Sequence, residues 1–274
     1  MKRAIFLDFD GTLAHLGEVP PAHVEVVRAA RAAGNAVMLC TGRPKSMLPA
    51  RRLVAGFDGI VASGGGYVEV AGEVLSDRRF PAAVATRAVR TLTRHRVAFL
   101  LEAPDALYGL PGIDAVMAAR LGAGRLAHEE GDGGGPRDVL ERLEMSEDLL
   151  HTSFSKISFF DSPVSGELLI EQIGPEVALL PSSISGLGGS AGEIHLADVH
   201  KGIGMRVAAA YLGVAPEDVV AFGDGVNDVE MLEEAGIGVA IKGSDPLVLA
   251  AADRFAEGPE NDGLVAAFEE LGLV

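Results

Sequence analysis

Ala4-Ile5-Phe6-Leu7-Asp8-Phe9-Asp10-Gly11-Thr12-Leu13 decides the fold of this 274-residue chain. Four apolar residues, Ala4 to Leu7, read as a buried strand that ends in two acids flanking Phe9. Alternate side chains of an extended segment share a face. Asp8 and Asp10 can therefore look into one cleft while Phe9 packs the other way. Two such carboxylates repel each other, and a hard divalent cation bound through oxygen is the simplest remedy. A turn after a strand and a calcium loop are the plainer alternatives. An EF-hand fails, because the twelfth position counted from Asp8 is Val19 rather than Glu and an apolar strand precedes the loop. On this stretch alone the turn reading stays open.

Outward from it, Pro20 and Pro21 precede a helical pattern from His23 to Ala33 that Gly34 ends. Ala36 to Cys40 is the next apolar run, closed by Thr41-Gly42-Arg43. Pro44 suits a helix start, with Met47, Leu48 and Leu53 as its apolar stripe. Gly59 to Ala62 is a third short strand, followed by Ser63 and three glycines. The rhythm returns late in the chain. Val219 to Phe222 runs into Gly223-Asp224, a helix is expected from Asp228 to Ala235, and Gly238 to Ile241 runs into Lys242-Gly243. This alternation predicts an α/β fold with a parallel sheet covered on both faces, and ligands bind beyond the carboxyl ends of such strands.

The middle departs from that rhythm, with Val97–Glu102, Lys156–Phe160 and Val177–Leu180 as strand candidates. Gly131-Asp132-Gly133-Gly134-Gly135 reads as a flexible loop, since no Lys-Ser/Thr pair follows it to make a phosphate loop. Residues 82–187 are read as an inserted second domain, leaving 1–81 and 188–274 as the core. The insertion is expected to close over the cleft on hinges near Phe80–Pro81 and Gly186–Gly189.

Hydrophobic residues make up 48% of the chain, ample for a large core. Acids outnumber bases by 39 to 23, for a formal charge of −16. With no basic block, a nucleic-acid backbone or an anionic membrane is a poor partner. Cys40 is the only cysteine, which excludes an internal disulfide and a thiolate cluster. Ala4 to Leu7 is too short for a signal peptide or a membrane span, so a cytoplasmic protein is expected.

Four clusters carry chemistry: Asp8 with Asp10; Thr41-Gly42-Arg43; Lys201 at the head of a helical run to Leu212; and Gly223-Asp224-Gly225-Val226-Asn227-Asp228. Four carboxylates at one sheet edge call for a divalent ion, and Lys201 would offset part of their charge. Such a site suits a phosphoryl group, and a carboxylate can serve as its covalent acceptor.

These four clusters, in this order, resemble the motifs of the haloacid dehalogenase superfamily of phosphatases. The inserted middle, Gly238-Val239-Ala240-Ile241, Ala250 to Asp253 and Asn261-Asp262-Gly263 resemble its Cof-type branch. The resemblance implies a Rossmann-like core with an α/β cap of the C2 type and Mg2+ as cofactor. It also implies a small phosphorylated metabolite as substrate, sugar phosphates leading. Asp8 then resembles the nucleophile and Asp10 the acid that protonates the leaving oxygen and later activates water. Thr41, Gly42 and Lys201 resemble phosphate-binding positions, and Asn227 orients Lys201 or the phosphate. Asp224 resembles a metal ligand beside the Asp8 carboxylate and the Asp10 carbonyl, with Asp228 ligating directly or through water. Ser63-Gly64-Gly65 stands where the family's third strand usually ends Asn-Gly, and Lys242-Gly243-Ser244 where it has Gly-Asn-Ala.

Plainer roles stand beside these. Thr41 could cap a helix, and Lys201 could be a solvated helix-start lysine. Arg43 clamps substrate or ties down loops, with the structural role favoured. Cys40 reads as a buried strand residue, His15 as a loop residue and Lys156 as a weak candidate for substrate contact. Asp198 and Glu193 read as solvated or structural acids. The histidines show no zinc spacing. The rival functions are a phosphomutase of the same architecture and a non-catalytic metabolite-binding protein.

Overall fold

The computed structural model describes residues 2–122, 135–181 and 190–274. In chain order the strands are β1 (Ala4–Leu7), β2 (Ala36–Cys40), β3 (Gly59–Ala62), β4 (Tyr67–Val70), β5 (Glu73–Asp77), β6 (Ala98–Glu102), β7 (Leu107–Gly109), β8 (Leu143–Met145), β9 (Lys156–Phe160), β10 (Val177–Pro181), β11 (Gly192–Leu196), β12 (Val219–Gly223), β13 (Ile237–Ile241) and β14 (Arg254–Ala256). The helices are α1 (Pro21–Ala32), α2 (Ala82–Arg94), α3 (Ile113–Gly122), α4 (Gly135–Arg142), α5 (Gly166–Ile173), α6 (Lys201–Leu212), α7 (Val229–Glu234), α8 (Pro246–Ala250) and α9 (Gly263–Glu270).

Among the described residues the strands form two sheets. The core sheet has the order β14-β13-β12-β1-β2-β3-β4-β5. It is parallel from β14 to β3, and β4 and β5 add an antiparallel edge. β3 turns back into β4 through Ser63–Gly66, and β4 into β5 through a two-residue turn with Ala71 at φ 51° and Gly72 at φ 82°, the twist that hairpins favour. β1 lies at the centre and is wholly buried. Ile5 and Leu7 face α1 and α9, where Val27, Leu264 and Phe268 pack. Ala4 and Phe6 face α6 and α7, against Met205, Ala208 and Met231. The apolar run of β1 thus fills two core layers at once, as a strand covered on both faces must.

Parallel pairing matches Ala4 with Val219 on one side and with Ala36 on the other. The carboxyl ends of β12, β1 and β2 therefore lie side by side. Residues just after them meet in space although about 200 positions separate Asp8 from Asp224 in the chain.

One expected helix is absent. After Pro44 the chain makes two single 3₁₀ turns, Lys45–Met47 and Ala50–Arg52. Pro49 separates them: it has no N–H to continue a helix and it disfavours helical backbone at Leu48, found at φ −113°, ψ 70°.

The second sheet has the order β10-β11-β9-β6-β7-β8. Phe99, Leu101, Ile157, Phe159, Ile194 and Leu196 form one face, against α2 and α5. β11 pairs with both β10 and β9, so this sheet runs past residue 187, where the sequence reading ended the insertion. Ile194 and Leu196 alternate with Glu193 and His195, a short, largely buried strand that the glycines before it obscured. Phe80 and Val199 both belong to this unit's apolar cluster. We propose that the cap spans about 81–199 and that its second crossing follows Val199. The expected hinge at Gly186–Gly189 and most of the loop 131–135 lie outside the described residues.

The two units touch through named contacts. Met47 packs into the cluster of Leu100, Leu107, Ile113 and Phe160 on the other face of the cap sheet. Ser46 Oγ donates to the Ala103 carbonyl at 2.8 Å and Ser155 Oγ to Ser63 Oγ at 3.1 Å.

Candidate active site

Asp8 follows β1 and its amide donates to the Phe222 carbonyl of β12 at 3.0 Å, which fixes the strand end against the Asp224 loop. Lys201 opens α6, its side chain only 1% exposed, and its ammonium lies between two carboxylates. It donates to Asp8 Oδ1 at 2.6 Å and to Asp228 Oδ1 at 2.5 Å. Asp228 is completely buried, and its other oxygen accepts the Asp224 amide at 3.1 Å and the Gly225 amide at 2.9 Å. Thr12 Oγ1 donates to Asp224 Oδ1 at 2.8 Å.

Asp8, Asp224 and Asp228 each bring an oxygen within 4.8 Å of the others. One ammonium cannot neutralise three carboxylates, and the proton affinities of Asp8 and Asp224 register the excess. Burial pushes the Asp8 carboxyl well above its ordinary range; Lys201 pulls it back, while Asp228 and Asp224 push it further up. Burial, with the Asp228 charge behind it, pushes Asp224 up to about 6. The same surroundings raise the Lys201 ammonium, the two acids outweighing burial. An oxygen-only donor set carrying surplus negative charge fits a hard divalent cation, and Asp8 and Asp224 are the carboxylates with capacity to spare. Asp228 already accepts three hydrogen bonds.

Gly11 shows how closely the first motif is fitted to this cluster. Its φ is +86°, and a Cβ there would stand 2.2 Å from Asp224 Oδ2. Gly11→Ala is expected to raise the divalent-cation concentration for half-maximal stabilisation by tenfold or more, since displacing Asp224 costs about 1–3 kcal/mol. A thermal-melt titration with the ion measures it, and an unchanged midpoint would show that Gly11 is replaceable.

Asp10 is set apart from the three. Its carboxylate is half exposed and Arg43 holds it in a bidentate pair, Nε to Oδ2 at 2.7 Å and Nη2 to Oδ1 at 2.8 Å. Burial works to raise its carboxyl, but the Arg43 charge and hydrogen bonds outweigh it and hold Asp10 below the ordinary range. The guanidinium groups of Arg43 and Arg52 lie 5.8 and 5.3 Å from the centre of the Phe9 ring. Arg43 thus has the structural role: its carbonyl accepts the Ser63 amide, tying the loops after β2 and β3, and its side chain also positions the second acid of the first motif. The odd spacing of two acids around a buried aromatic with arginines downstream was the available signal.

Thr41 is buried at the end of β2, and its hydroxyl oxygen accepts the Arg43 amide at 3.2 Å. Asn227 does not reach Lys201. Its amide lies beside the Gly42 backbone, where a Cβ on Gly42 would meet Nδ2 at 3.3 Å. Ser63, in place of the family's Asn, sits at φ 51° and bonds to the cap through Ser155. Lys242 pairs with Glu257 in solvent at 2.5 Å. Cys40 is buried and its thiol is pushed far up by burial, as fits a strand residue. A cavity of ≈ 490 Å³ between core and cap is lined by Lys45, Tyr67, Arg79, Asp105, Tyr108 and Ser153 among others. None of the four motifs' site residues lines it, so it is not the cleft of the carboxylates.

Comparison with known proteins places this geometry. Residues 5–268 match a sequence model of the haloacid dehalogenase-like hydrolases. A Streptococcus pyogenes protein provisionally named a bifunctional phosphatase/peptidyl-prolyl cis-trans isomerase is 28% identical over 280 residues, 99% of this chain. The chain spans only 54% of that relative's length. A Bacillus subtilis protein provisionally named phosphatase YkrA is 24% identical over 282 residues, covering 100% of this chain and 99% of that one. Among solved structures, the subclass IIB sugar phosphatase BT4131 superposes with a TM-score of 0.77 at 22% identity, over 100% of both chains.

Proposed function

The chain belongs to the haloacid dehalogenase-like hydrolases, with the architecture of their Cof-type branch, and from that premise we propose that it is a magnesium-dependent phosphomonoesterase. Its substrate is a small phosphorylated metabolite, with sugar phosphates the leading class. The observation that carries this reading is the Asp8 carboxylate at the end of β1, 2.6 Å from the buried Lys201 ammonium and facing Asp224. The names of the relatives support the reaction class, and the −16 charge argues against nucleic acid as substrate.

In this reading an Asp8 oxygen attacks phosphorus, the ester P–O bond breaks, and the leaving oxygen takes a proton from Asp10. Water then attacks the aspartyl-phosphate and gives a proton to Asp10, which frees phosphate and restores the Asp8 carboxylate. Lys201 balances charge on the nucleophile, and the Thr41 hydroxyl donates to a phosphoryl oxygen. Asp8, Asp224 and the Asp10 carbonyl would hold magnesium, Asp228 supporting from behind, and the ion would supply charge to neutralise the phosphoryl oxygens. Arg43 keeps Asp10 ionised, ready to accept a proton. For Asp10 to deliver one, Arg43 has to exchange it for another acceptor, and a substrate phosphate is the natural candidate.

The test is hydrolysis of p-nitrophenyl phosphate and a panel of sugar phosphates with magnesium, calcium or a chelator. Activity is expected with magnesium alone, because the larger, looser calcium shell misplaces Asp8 relative to phosphorus. Full activity in chelator would overturn the metal requirement, and no hydrolysis of any ester would favour a binding protein. Conversion of a hexose 1-phosphate to its 6-phosphate without free phosphate would identify a mutase instead.

A further inference from the structure

The cap sheet has a second face, and its polar residues point at the core. Register pairs Glu102 with Lys156 and Ser158 with Glu193, so all four share the side opposite Ile157 and Phe159. Lys156 is 5% exposed. Its ammonium donates to Glu193 Oε2 at 2.7 Å, forms an ion pair with Glu102 Oε2 at 3.2 Å, and donates to the Gly42 carbonyl at 2.8 Å. The first two partners travel with Lys156 on the same sheet. Only the third belongs to the core.

That third bond completes a set. In the loop after β2 each carbonyl has a donor: Thr41 O accepts from the Gly64 amide at 3.1 Å, Arg43 O from the Ser63 amide at 2.9 Å, and Gly42 O from Lys156. A trans peptide is planar, with its C=O and N–H pointing opposite ways. Holding the Gly42 carbonyl toward the cap therefore turns the Arg43 N–H away from it, onto Thr41 Oγ1 at 3.2 Å. Once that oxygen accepts the amide, the hydroxyl proton of Thr41 is left to point at another acceptor.

We propose that Lys156 is a positioning residue that couples closure of the cap to the donor hydroxyl of Thr41. The inference rests on the phosphatase reading of Thr41, whereas the coupling to the Arg43 amide stands on geometry alone. Glu102 and Glu193 keep the long lysine side chain extended whether or not the cap is seated, so closure orders only one new bond. Ser155 on Ser63 and Ser46 on Ala103 flank that bond and set its register. The catalytic loop is in its working arrangement only when the cap is down.

Lys156→Met alone would strand two buried glutamates, so the working variant is the neutral Lys156→Met/Glu102→Gln/Glu193→Gln. Two readouts are taken: amide exchange by NMR, and steady-state kinetics on p-nitrophenyl phosphate. The Arg43 amide is expected to exchange about tenfold faster or more, the scale of one lost hydrogen bond to a charged group, with the amides of β2 unchanged. The kcat is expected to fall by about tenfold or more while KM and the magnesium midpoint stay within about twofold. Lys156→Arg, which keeps a donor for Gly42, is expected to recover part of both. Unchanged Arg43 exchange overturns the proposal, and so does faster exchange with an unchanged kcat. If the unmodified protein hydrolyses no phosphate ester, the phosphatase reading falls, and Arg43 exchange alone decides whether Lys156 orders the loop.

Discussion

Asp8→Asn is expected to give a folded protein that has lost about four orders of magnitude or more of its turnover on p-nitrophenyl phosphate, as removal of a covalent nucleophile does. The amide is nearly the shape of the carboxylate and its carbonyl oxygen can still accept from Lys201. It cannot attack phosphorus. Stability should not fall. Burial and two neighbouring acids already hold the Asp8 carboxyl above its ordinary range. A folded-state pKa above the unfolded one means that ionisation costs the fold stability, a loss that sets in as pH rises past the unfolded value and is complete above the folded one. A neutral side chain therefore removes a penalty. The measurements are initial rates with magnesium and a thermal melt in chelator. More than about a hundredth of the original rate would sink covalent catalysis at this position. A melting temperature well below that of the unmodified protein would show that Lys201 needs the charge.

Lys201→Met has the opposite balance. It removes the one ammonium that, among the described residues, pairs with Asp8 and Asp228, and leaves both buried acids without a counter-charge. Stripping one member from a buried ion pair costs about 3–5 kcal/mol, which for a chain of this size is a drop of roughly 10 °C in melting temperature. Activity should vanish as well, since the phosphoryl oxygens lose their fixed cation. The informative comparison is with and without magnesium. If the ion seats among Asp8, Asp224 and Asp228, it supplies in the variant the charge that the lysine no longer does. Magnesium should then raise the melting temperature of Lys201→Met more than that of the unmodified protein. A variant that melts in chelator at the original temperature would mean that its acids simply take up protons. The buried triangle of charges would then have no structural weight.

Much of this site was legible in the sequence because parallel sheets put chemistry where apolar runs stop. Ala4–Leu7, Ala36–Cys40 and Val219–Gly223 are short, uniformly apolar and end in polar clusters, so the pattern of apolar runs alone places Asp8, Thr41 and Asp224 on one edge. Lys201 announced itself as an isolated cation opening a helix. What stayed hidden depends on side-chain direction and register. Arg43 could be seen to matter, but not that it folds back onto Asp10. Lys156 could not be read as a link to Gly42, since that contact needs the cap docked and the strand in register with β6 and β11. The alternation Lys156-Ile157-Ser158-Phe159 does carry the pattern, one face apolar and one polar. The β4–β5 hairpin was missed for a related reason: its Ala71-Gly72 turn lacks the usual asparagine or aspartate before glycine. Pro49 stands inside the expected helix, and its restriction of Leu48 is what breaks the pattern.

The pairing of β1 with β12 has a consequence for how the chain is made. Strand order in the core is not order of synthesis: β1 emerges first, yet its neighbour Val219–Gly223 follows the whole cap. A ribosome adding about 5–20 residues per second therefore needs roughly ten seconds or more between the two strands. Throughout that interval one edge of Ala4–Leu7 is unsatisfied and apolar. The cap strands, in contrast, pair within one continuous stretch of chain. The cap can complete itself on the nascent chain while the core waits. The catalytic centre is then assembled late, when β12 slides in beside a strand made long before. Slow closure of this kind exposes β1 to wrong partners, so refolding yield should be limited by the core and spared by the cap.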